Sequence, residues 1–415
     1  MRFVHTSDWH LGQELNSFDR GFEHDAVLEW LADQLEDLEA DALLVAGDLY
    51  DSVNPPVPAQ RRLYRFLSST LQRLPELQIV IVGGNHDSAS RIELPQALLE
   101  EGRVFLVGGM PRDSGKIAPA KTLFELADKD GKPAALCAAV PYLRIGDLPP
   151  TDEGHNPVAA LYEQVFDEAD LVRDGKPLIA TGHLNIAGGQ VSEMSERRIL
   201  IGGEESVPHD VFGDRANYVA LGHLHRPQRI AGQDHIRYSG SLFPMSVSER
   251  DYDHGIVVVD CDQNDVTSIE TRSIPRPVEF IRVPQVDALP PDELETALIE
   301  LDLEDPGPDR RPYLEVSVRL SRPEPDLRAR IDAALDGKPV RLTRIASTRH
   351  DLDGTVRDDD IQHAFLGDLD PKDVFRRKHE EAFGAGPEDD LMNAFQQVLA
   401  DTLNPEEPHE GRAQK

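Results

Sequence analysis

The chain of 415 residues carries a formal net charge of -33, and 39% of its residues are hydrophobic. Its length predicts two or three domains, and its hydrophobic content argues against global disorder. The strong acidity, taken alone, argues against direct binding of nucleic acid, whose phosphates it would repel. Two cysteines are too few for a disulfide framework, and there is neither a signal-like segment nor an apolar stretch near the ~20 residues that span a bilayer. We therefore expect a soluble cytoplasmic protein without membrane contact.

Residues 1–272 alternate predicted strands with predicted helices. Apolar runs typical of strands occupy Arg2–Thr6, Ala42–Ala46, 79–82, 178–180 and 218–221. Apolar residues at helical spacing predict helices over 22–39, 59–74 and 159–172. Short strands follow at 236–238, 255–260 and 267–272. This order predicts an α/β (α+β) fold in which two packed mixed sheets are flanked by helices, as in a two-sheet sandwich with α-β-β-α layers.

A segment with two prolines at 273–277 separates this region from a predicted β-α-β-α-β unit at 277–347. This unit would be a small second domain that binds or positions a ligand. An acidic linker is expected over 348–370, two helices over 371–403 and a flexible tail over 404–415. Apolar residues line one face of the last helix, namely Leu391, Phe395, Val398, Leu399 and Leu403. That face could pack on the small domain or bind a partner.

Each of the five predicted strands is followed by a polar motif. The motifs are Asp8-Trp9-His10, Gly47-Asp48, Gly84-Asn85-His86-Asp87, Gly182-His183 and Gly222-His223-Leu224-His225. Strands fix the loops at their carboxyl ends, so five such loops can converge on one point. Carboxylate, amide and imidazole ligands without a thiolate suit Mn²⁺, Fe or Zn²⁺ held for hydrolysis and argue against a structural zinc site. The motifs predict a two-metal hydrolase.

Asp48 is the natural bridging ligand, because a carboxylate balances the charge of two cations best. Asp8 and His10 alternate in an extended loop and can face one cation, whereas His223 and His225 can each reach a different one. Two further candidate ligands are Asn85 and His183.

His86 could point away from the metals and give a proton to the leaving oxygen. Asp87 could orient that imidazole, as carboxylates do for catalytic histidines. The histidines outside the motifs, among them His5 and His24, are expected at surface or hydrogen-bonded positions.

In this order, the motifs resemble the calcineurin-like metallophosphoesterases, and more closely the SbcD nuclease family among them. The surrounding residues share the family pattern at 6–12, 46–51, 83–88, 222–225 and 238–242. The resemblance implies one ion held by Asp8, His10, Asp48 and His225. It implies a second ion held by Asp48, Asn85, His183 and His223. It also implies that both are Mn²⁺ and that His86 is a catalytic residue rather than a ligand.

The implied activity is DNA phosphodiester hydrolysis, as a 3′–5′ exonuclease and a single-strand and hairpin endonuclease in replication, recombination and repair. The implied partner is an SbcC-like coiled-coil ATPase, bound by segment 371–403, in an assembly that contains a homodimer of this chain and is associated with the nucleoid. Such a partner could hold the duplex, and arginines near the motifs (Arg20, Arg61, Arg62 and Arg91) could add local positive charge. An acidic proteome of salt-adapted cells could also underlie the charge.

Two alternatives stay open. A stand-alone phosphodiesterase or phosphatase for a small molecule would keep the metals but would not need the second domain and the C-terminal helices. A non-catalytic architectural subunit would not need the complete ligand set.

Overall fold

The computed structural model describes residues 1–99, 103–152, 155–192, 195–196, 206–322, 324–350 and 356–360, together with positions 375–376, 378–379, 386–387, 391–392 and 395. The predicted helices over 371–403 lie mostly outside the described residues, and the tail 404–415 lies wholly outside them. Where positions are described within 371–403, the rings of Phe375 and Phe395 stack with their centroids 4.2 Å apart.

Two six-stranded sheets face each other in the first domain. Its strands are β1 (Arg2–Thr6), β2 (Ala42–Ala46), β3 (Gln78–Val82), β4 (Val104–Val107), β5 (Leu123–Ala127), β6 (Pro133–Ala138), β7 (Leu178–His183), β8 (Tyr218–Gly222), β9 (Gln228–Ile230), β10 (Gln233–Tyr238), β11 (Gly255–Cys261) and β12 (Val266–Ser273). The first sheet has the order β12-β11-β1-β2-β3-β4, and the second has the order β9-β10-β8-β7-β6-β5. In each sheet the central strands are parallel, so their carboxyl ends share one edge.

Helices cover the outer faces of both sheets. They are α1 (Gly21–Asp37), α2 (Val57–Arg73), α3 (Ala89–Glu93) and α4 (Pro157–Val172). Two small hairpins join Glu14–Leu15 to Phe18–Asp19 and Arg112–Asp113 to Lys116–Ile117. In β2, Leu43 and Val45 pack in the cluster under α1 and α2, while Ala42 and Leu44 pack between the two sheets. The strand is apolar throughout because both of its faces are covered, and the predicted α-β-β-α layering is confirmed.

Strands β4, β5 and β6 are not among the predicted elements. Strand β6 is rich in alanine, a strong helix former, and its place beside β7 comes from burial on both faces rather than from its propensity.

The second domain is a four-stranded sheet of order β13-β14-β15-β16, with β13 (Phe280–Val283), β14 (Tyr313–Leu320), β15 (Arg341–His350) and β16 (Val356–Asp360). Helices α5 (Pro291–Ile299) and α6 (Leu327–Ala334) pack on it through an apolar cluster of their own. The first three strands and the two helices form the predicted β-α-β-α-β unit.

The expected acidic linker over 348–370 is wrong where the structure describes it. Strand β15 continues to His350, and Val356–Asp360 pairs with it in the antiparallel direction, with Asp360 opposite Ala346. Strand pairing uses backbone groups and does not require apolar side chains, and charged residues are common on an edge strand, where they discourage further pairing.

A buried polar contact joins the two domains. The Arg20 guanidinium donates to both carboxylate oxygens of Glu23, at 2.6 and 2.8 Å, and the Tyr313 hydroxyl donates to the same carboxylate at 2.7 Å. Arg20 is therefore buried and paired, and the expectation that it adds charge near a DNA strand is wrong. Among the described residues, no helix is long and apolar enough to cross a membrane.

Candidate metal centre

The carboxyl ends of β1, β2, β3, β7 and β8, with the loops that follow them, meet at the shared edge of the two sheets, and His183 is the last residue of β7. The backbone N–H of Asp8 donates to the Gly47 carbonyl and that of His10 to the Asp48 carbonyl, both at 3.0 Å. The His223 N–H donates to the Asp8 carboxylate at 3.0 Å and links the second sheet to the first. The nine predicted site residues are thereby brought together, all buried except the half-buried Asn85.

The motif glycines allow this approach. A Cβ on Gly84 would collide with the Asp48 carboxylate, and a Cβ on Gly222 would collide with the Ala46 carbonyl. Any larger residue at these two positions would separate the loops that carry the polar side chains.

Four of the predicted ligands have an unusual backbone. Asp8, His10, Asp48 and His223 have φ angles of 52°, 45°, 47° and 101°. Residues other than glycine rarely adopt positive φ, and such strain concentrates at functional sites, where the surrounding structure holds it in place.

One group of donors comprises Asp8, His10 and His225, whose ligand atoms all lie within 4.8 Å of one another. The Nε2 atoms of His10 and His225 are 3.2 Å apart. The Nδ1 of His225 donates to the Glu249 carboxylate at 2.7 Å, so the Nε2 lone pair of the neutral ring points toward this group.

The second group comprises Asp48, His183 and His223, again within 4.8 Å. Asn85 Oδ1 lies 2.9 Å from His183 Nε2 and 3.1 Å from His223 Nδ1. The Nδ1–H of His183 donates a hydrogen bond to the Ala46 carbonyl at 3.0 Å. The lone pair on Nε2 is therefore available to bind a metal ion at the centre.

Asp48, a member of the second group, also lies near the first. Its Oδ2 is 3.7 Å from His10 Nε2 and 3.4 Å from His183 Nε2. Ligand atoms that are neighbours around one ion, with bonds of roughly 2.1 Å, lie about 3 Å apart. The spacing of these oxygen and nitrogen atoms therefore fits divalent ions.

Electrostatics also favour cations here. Burial favours neutral imidazoles, but the Asp48 carboxylate outweighs it and raises the pKa of His183 to about 9. Burial acts on His225 in the same direction, but Glu249 raises its pKa to about 10. Although burial opposes it, the charges of His183 and His86 hold the pKa of Asp48 well below its usual range. The carboxylates thus attract positive charge, as protons or as metal ions.

His86 is 6% exposed, and its ring centroid lies 4.9 Å from that of His10. Its Nδ1 donates to the Asp51 carbonyl at 2.8 Å, and its backbone N–H donates to Asp48 Oδ1 at 2.8 Å. A nitrogen of His86 also lies within 4.8 Å of ligand atoms of His10 and Asp48. The ring is therefore held beside the two donor groups.

Asp87 does not orient His86, and that expectation is wrong. Its carboxylate accepts the backbone N–H groups of Leu49, Tyr50 and Gly84 at 2.9–3.0 Å. Asp87 therefore fastens the loop after β3 to the loop after β2. Instead, the Asp51 carbonyl in the loop after β2 accepts the hydrogen bond that orients His86.

Two supporting carboxylates had no sequence signal. Besides Glu249, Glu196 accepts the backbone N–H of His225 at 2.6 Å. Glu196 and Glu249 lie outside the five strand-end motifs in the sequence. The folding of the chain brings both of them to His225. Carboxylates behind a ligating histidine orient its ring and raise its basicity.

Two family models match the chain: calcineurin-like phosphoesterase over residues 1–227, and the type 5 capsule protein repressor C-terminal domain over residues 275–383. A Rhodobacter capsulatus protein, named as the D subunit of nuclease SbcCD, is 41% identical over 358 residues, which are 84% of this chain and 88% of that protein. The protein of the same name from Escherichia coli K12 is 30% identical over 391 residues, or 91% and 92% of the two chains. The protein of that name from Bacillus subtilis is 33% identical over 281 residues, which are 63% of this chain and 66% of that protein.

The donor groups and these relatives agree on the chemistry, and the predicted fold class and enzyme class are confirmed. The chain is a metal-dependent phosphodiester hydrolase with clustered His and Asp side chains suited to divalent metals. It belongs to the calcineurin-like phosphoesterase family and, within it, to the SbcD nucleases.

Proposed function

We propose that this chain is the Mn²⁺-dependent nuclease subunit of an SbcC–SbcD-type complex, with 3′–5′ exonuclease and single-strand and hairpin endonuclease activity on DNA ends and hairpins. It would serve replication, recombination and repair at the nucleoid. The observation that carries the proposal is a pair of donor groups joined by Asp48, whose Oδ2 lies 3.7 Å from His10 Nε2 and 3.4 Å from His183 Nε2, in a chain 41% identical to a protein named as the D subunit of nuclease SbcCD.

In this proposal Asp8, His10, Asp48 and His225 hold one ion, and Asp48, Asn85, His183 and His223 hold the other. A donor set of oxygen and imidazole without thiolate suits Mn²⁺, Fe or Zn²⁺, and the resemblance to the SbcD family favours Mn²⁺ among them. Two such ions, when bound, activate a water and stabilise charge on the phosphate oxygens.

His86 delivers a proton to the leaving oxygen. The Asp51 carbonyl accepts from Nδ1 and keeps that nitrogen protonated. The ring must therefore start as the imidazolium, give its Nε2 proton to the leaving oxygen and become neutral. Asp87 supports this step through the backbone, because it keeps the loop of His86 against the loop of Asp48.

The charge of -33 disfavours strong binding of duplex DNA by this chain alone, so in this proposal the partner holds the duplex. We propose that segment 371–403 binds the base of the coiled coil in an SbcC-like ATPase, that the domain at 277–347 positions DNA, and that two copies of this chain act in the assembly.

The test is hydrolysis by the purified full chain with Mn²⁺ or with EDTA. The substrates are a labelled DNA hairpin, the diester bis(p-nitrophenyl) phosphate and the monoester p-nitrophenyl phosphate. We expect Mn²⁺-dependent cleavage of the hairpin and the diester and little action on the monoester. Hydrolysis of the two small esters without any DNA cleavage would instead favour the small-molecule alternative, and no hydrolysis at all would favour an architectural subunit.

A further inference from the structure

Among the described residues, several arginines are neutralised by carboxylates of this acidic chain. Arg215 illustrates this: it contacts Asp167 at 2.9 Å and Asp170 at 2.5 Å. Two arginines beside the metal centre differ, because among the described residues neither forms an ion pair with a carboxylate. These are Arg144 and Arg226.

Arg144 lies beside the second donor group. Its guanidinium is 5.6 Å from the ring centroid of Tyr142, and its Nη2 lies 3.5 Å from the Asp87 carbonyl. The ring centroid of Tyr142 is 6.2 Å from the ring centroid of His183. The backbone N–H of Tyr142 donates to the Gly83 carbonyl at 2.8 Å.

Arg226 directly follows His225, a member of the first donor group, in the chain. Its guanidinium is 5.2 Å from the ring centroid of Tyr252. The backbone N–H of Tyr252 donates to the Glu249 carbonyl at 2.9 Å, and its hydroxyl is 3.0 Å from Ser192 Oγ. The exposed side chain borders a cavity of about 320 Å³ that is also lined by Tyr252, Asp251 and Asp253.

A tyrosine ring holds a guanidinium by cation–π attraction within about 6 Å. Unlike a carboxylate, the ring orients the group without cancelling its charge, and the planar fork remains available for a phosphate. One such guanidinium group belongs to a residue near each donor group. Together they match the charge of a polyanion that extends across both donor groups.

Resting on the proposed function, we propose that Arg144 and Arg226 bind the backbone phosphates that flank the scissile phosphate of a DNA single strand. Tyr142 and Tyr252 are positioning residues for these two arginines. The strand then crosses the metal centre from the side of His183 to the side of His225.

The test uses Arg144→Gln and Arg226→Gln, with Arg215→Gln as the matched control of an arginine already neutralised. Cleavage of a single-stranded oligonucleotide by the full chain with Mn²⁺ is measured between 50 and 200 mM KCl. Each of the first two variants should raise KM for DNA about tenfold and lower the slope of log kcat/KM against log salt by about 0.7, the share of one phosphate contact. Arg215→Gln should change neither quantity.

Arg144→Lys and Arg226→Lys keep the charge and should restore the salt slope, which a purely structural role would not require. Tyr142→Leu should raise KM without lowering the slope as much, because the charge remains but loses its orientation. Metal content and circular dichroism identify any variant that has misfolded.

The inference is overturned if both glutamine variants match Arg215→Gln in KM and salt slope, or if lysine fails to restore the slope. A wild-type chain that hydrolyses bis(p-nitrophenyl) phosphate but no DNA refutes the proposed function, and this inference with it. Wild-type DNA cleavage with unaffected arginine variants refutes the inference alone.

Discussion

His86 and His225 are both buried imidazoles of the centre, but their Nδ1 atoms have different partners. The carbonyl of Asp51 accepts from His86, whereas the ionised carboxylate of Glu249 accepts from His225. A carboxylate strengthens a histidine as a ligand, and a carbonyl fixes a ring without adding charge. The two residues should therefore respond differently to substitution.

His86→Ala should retain two bound metals and lose a factor of roughly 10²–10⁴ in diester hydrolysis, the usual contribution of a positioned proton donor. Elemental analysis and kcat are measured on the same sample. If metal content falls together with activity, His86 is a ligand and the assigned role is wrong.

Glu249→Gln should weaken metal binding at the position of His225 by roughly 10–100-fold, the usual cost of losing a carboxylate behind a ligating histidine. Despite burial, His225 and Ser195 lower the pKa of Glu249 to about 2, so the native carboxylate is charged at neutral pH. Mn²⁺ titration calorimetry measures the loss. The exposed Glu270→Gln serves as the control, and equal affinities in the two variants would contradict a supporting role for Glu249.

At the level of strands and helices, the metal centre is positioned by the carboxyl ends of the strands. Hydrogen bonds of a few buried side chains connect these strand ends to one another. Asp87 fastens the loop after β3 to the loop after β2 through hydrogen bonds from the backbone N–H groups of Leu49 and Tyr50. His5, within β1, accepts from the Tyr218 hydroxyl at 2.9 Å and donates to the Leu221 carbonyl at 3.2 Å, and thus joins the two sheets. Both contacts cross between segments distant in the chain.

Asp87→Asn should lower the free energy of unfolding by roughly 1–3 kcal/mol, because one amide oxygen cannot accept all three N–H groups and at least one is left buried without a partner. Urea unfolding in EDTA measures the effect, with Asp113→Asn in an exposed hairpin as the control. Matching stabilities of the two variants would show that the three hydrogen bonds are dispensable.

His5 predicts an acid dependence of stability. Burial lowers the pKa of His5 to about 3, so the folded chain keeps it neutral while the unfolded chain protonates it below about pH 6.5. The unfolded state then binds more protons, and stability falls as pH decreases from about 6.5 toward 3, by roughly 2 kcal/mol at pH 5.

The measurement is urea unfolding at pH 7 and pH 5 in EDTA. His5→Gln should show a smaller loss between the two pH values than the wild type, whereas substitution of the exposed His155 should leave the loss unchanged. An unaltered loss in His5→Gln would exclude His5 as its source.

In the molecule as a whole, the described strands of the second domain run to Asp360 rather than to 347, and this domain docks on α1 through Tyr313 and Glu23. A boundary at 348 would remove β16 and the end of its partner strand. The partner-binding segment is therefore best separated after residue 360.

A chain truncated after Asp360 should keep Mn²⁺-dependent hydrolysis of short single strands, because both described domains remain intact. It should no longer co-purify with the SbcC-like ATPase, and ATP-stimulated cleavage of duplex ends should disappear. Pull-down and nuclease assays on the same preparation check this, with the full chain as control. Recovery of the ATPase at full strength would place the binding surface elsewhere.

Local signals along the chain were enough to predict the layers and the position of the centre. An apolar strand and the loop after it are such signals, so Asp8, Asp48, Asn85 and His223 could be placed at strand ends without knowledge of the fold. Periodicity likewise predicted α1, α2 and α4 to within a few residues.

The groups that support the centre depend instead on the packing of distant segments. Glu249 contacts His225, the carboxylate of Asp87 turns to backbone N–H groups, and acidic β16 becomes a strand. No local pattern specifies these outcomes, because each depends on a partner that packing brings close. Burial then makes the hydrogen bonds to those partners obligatory.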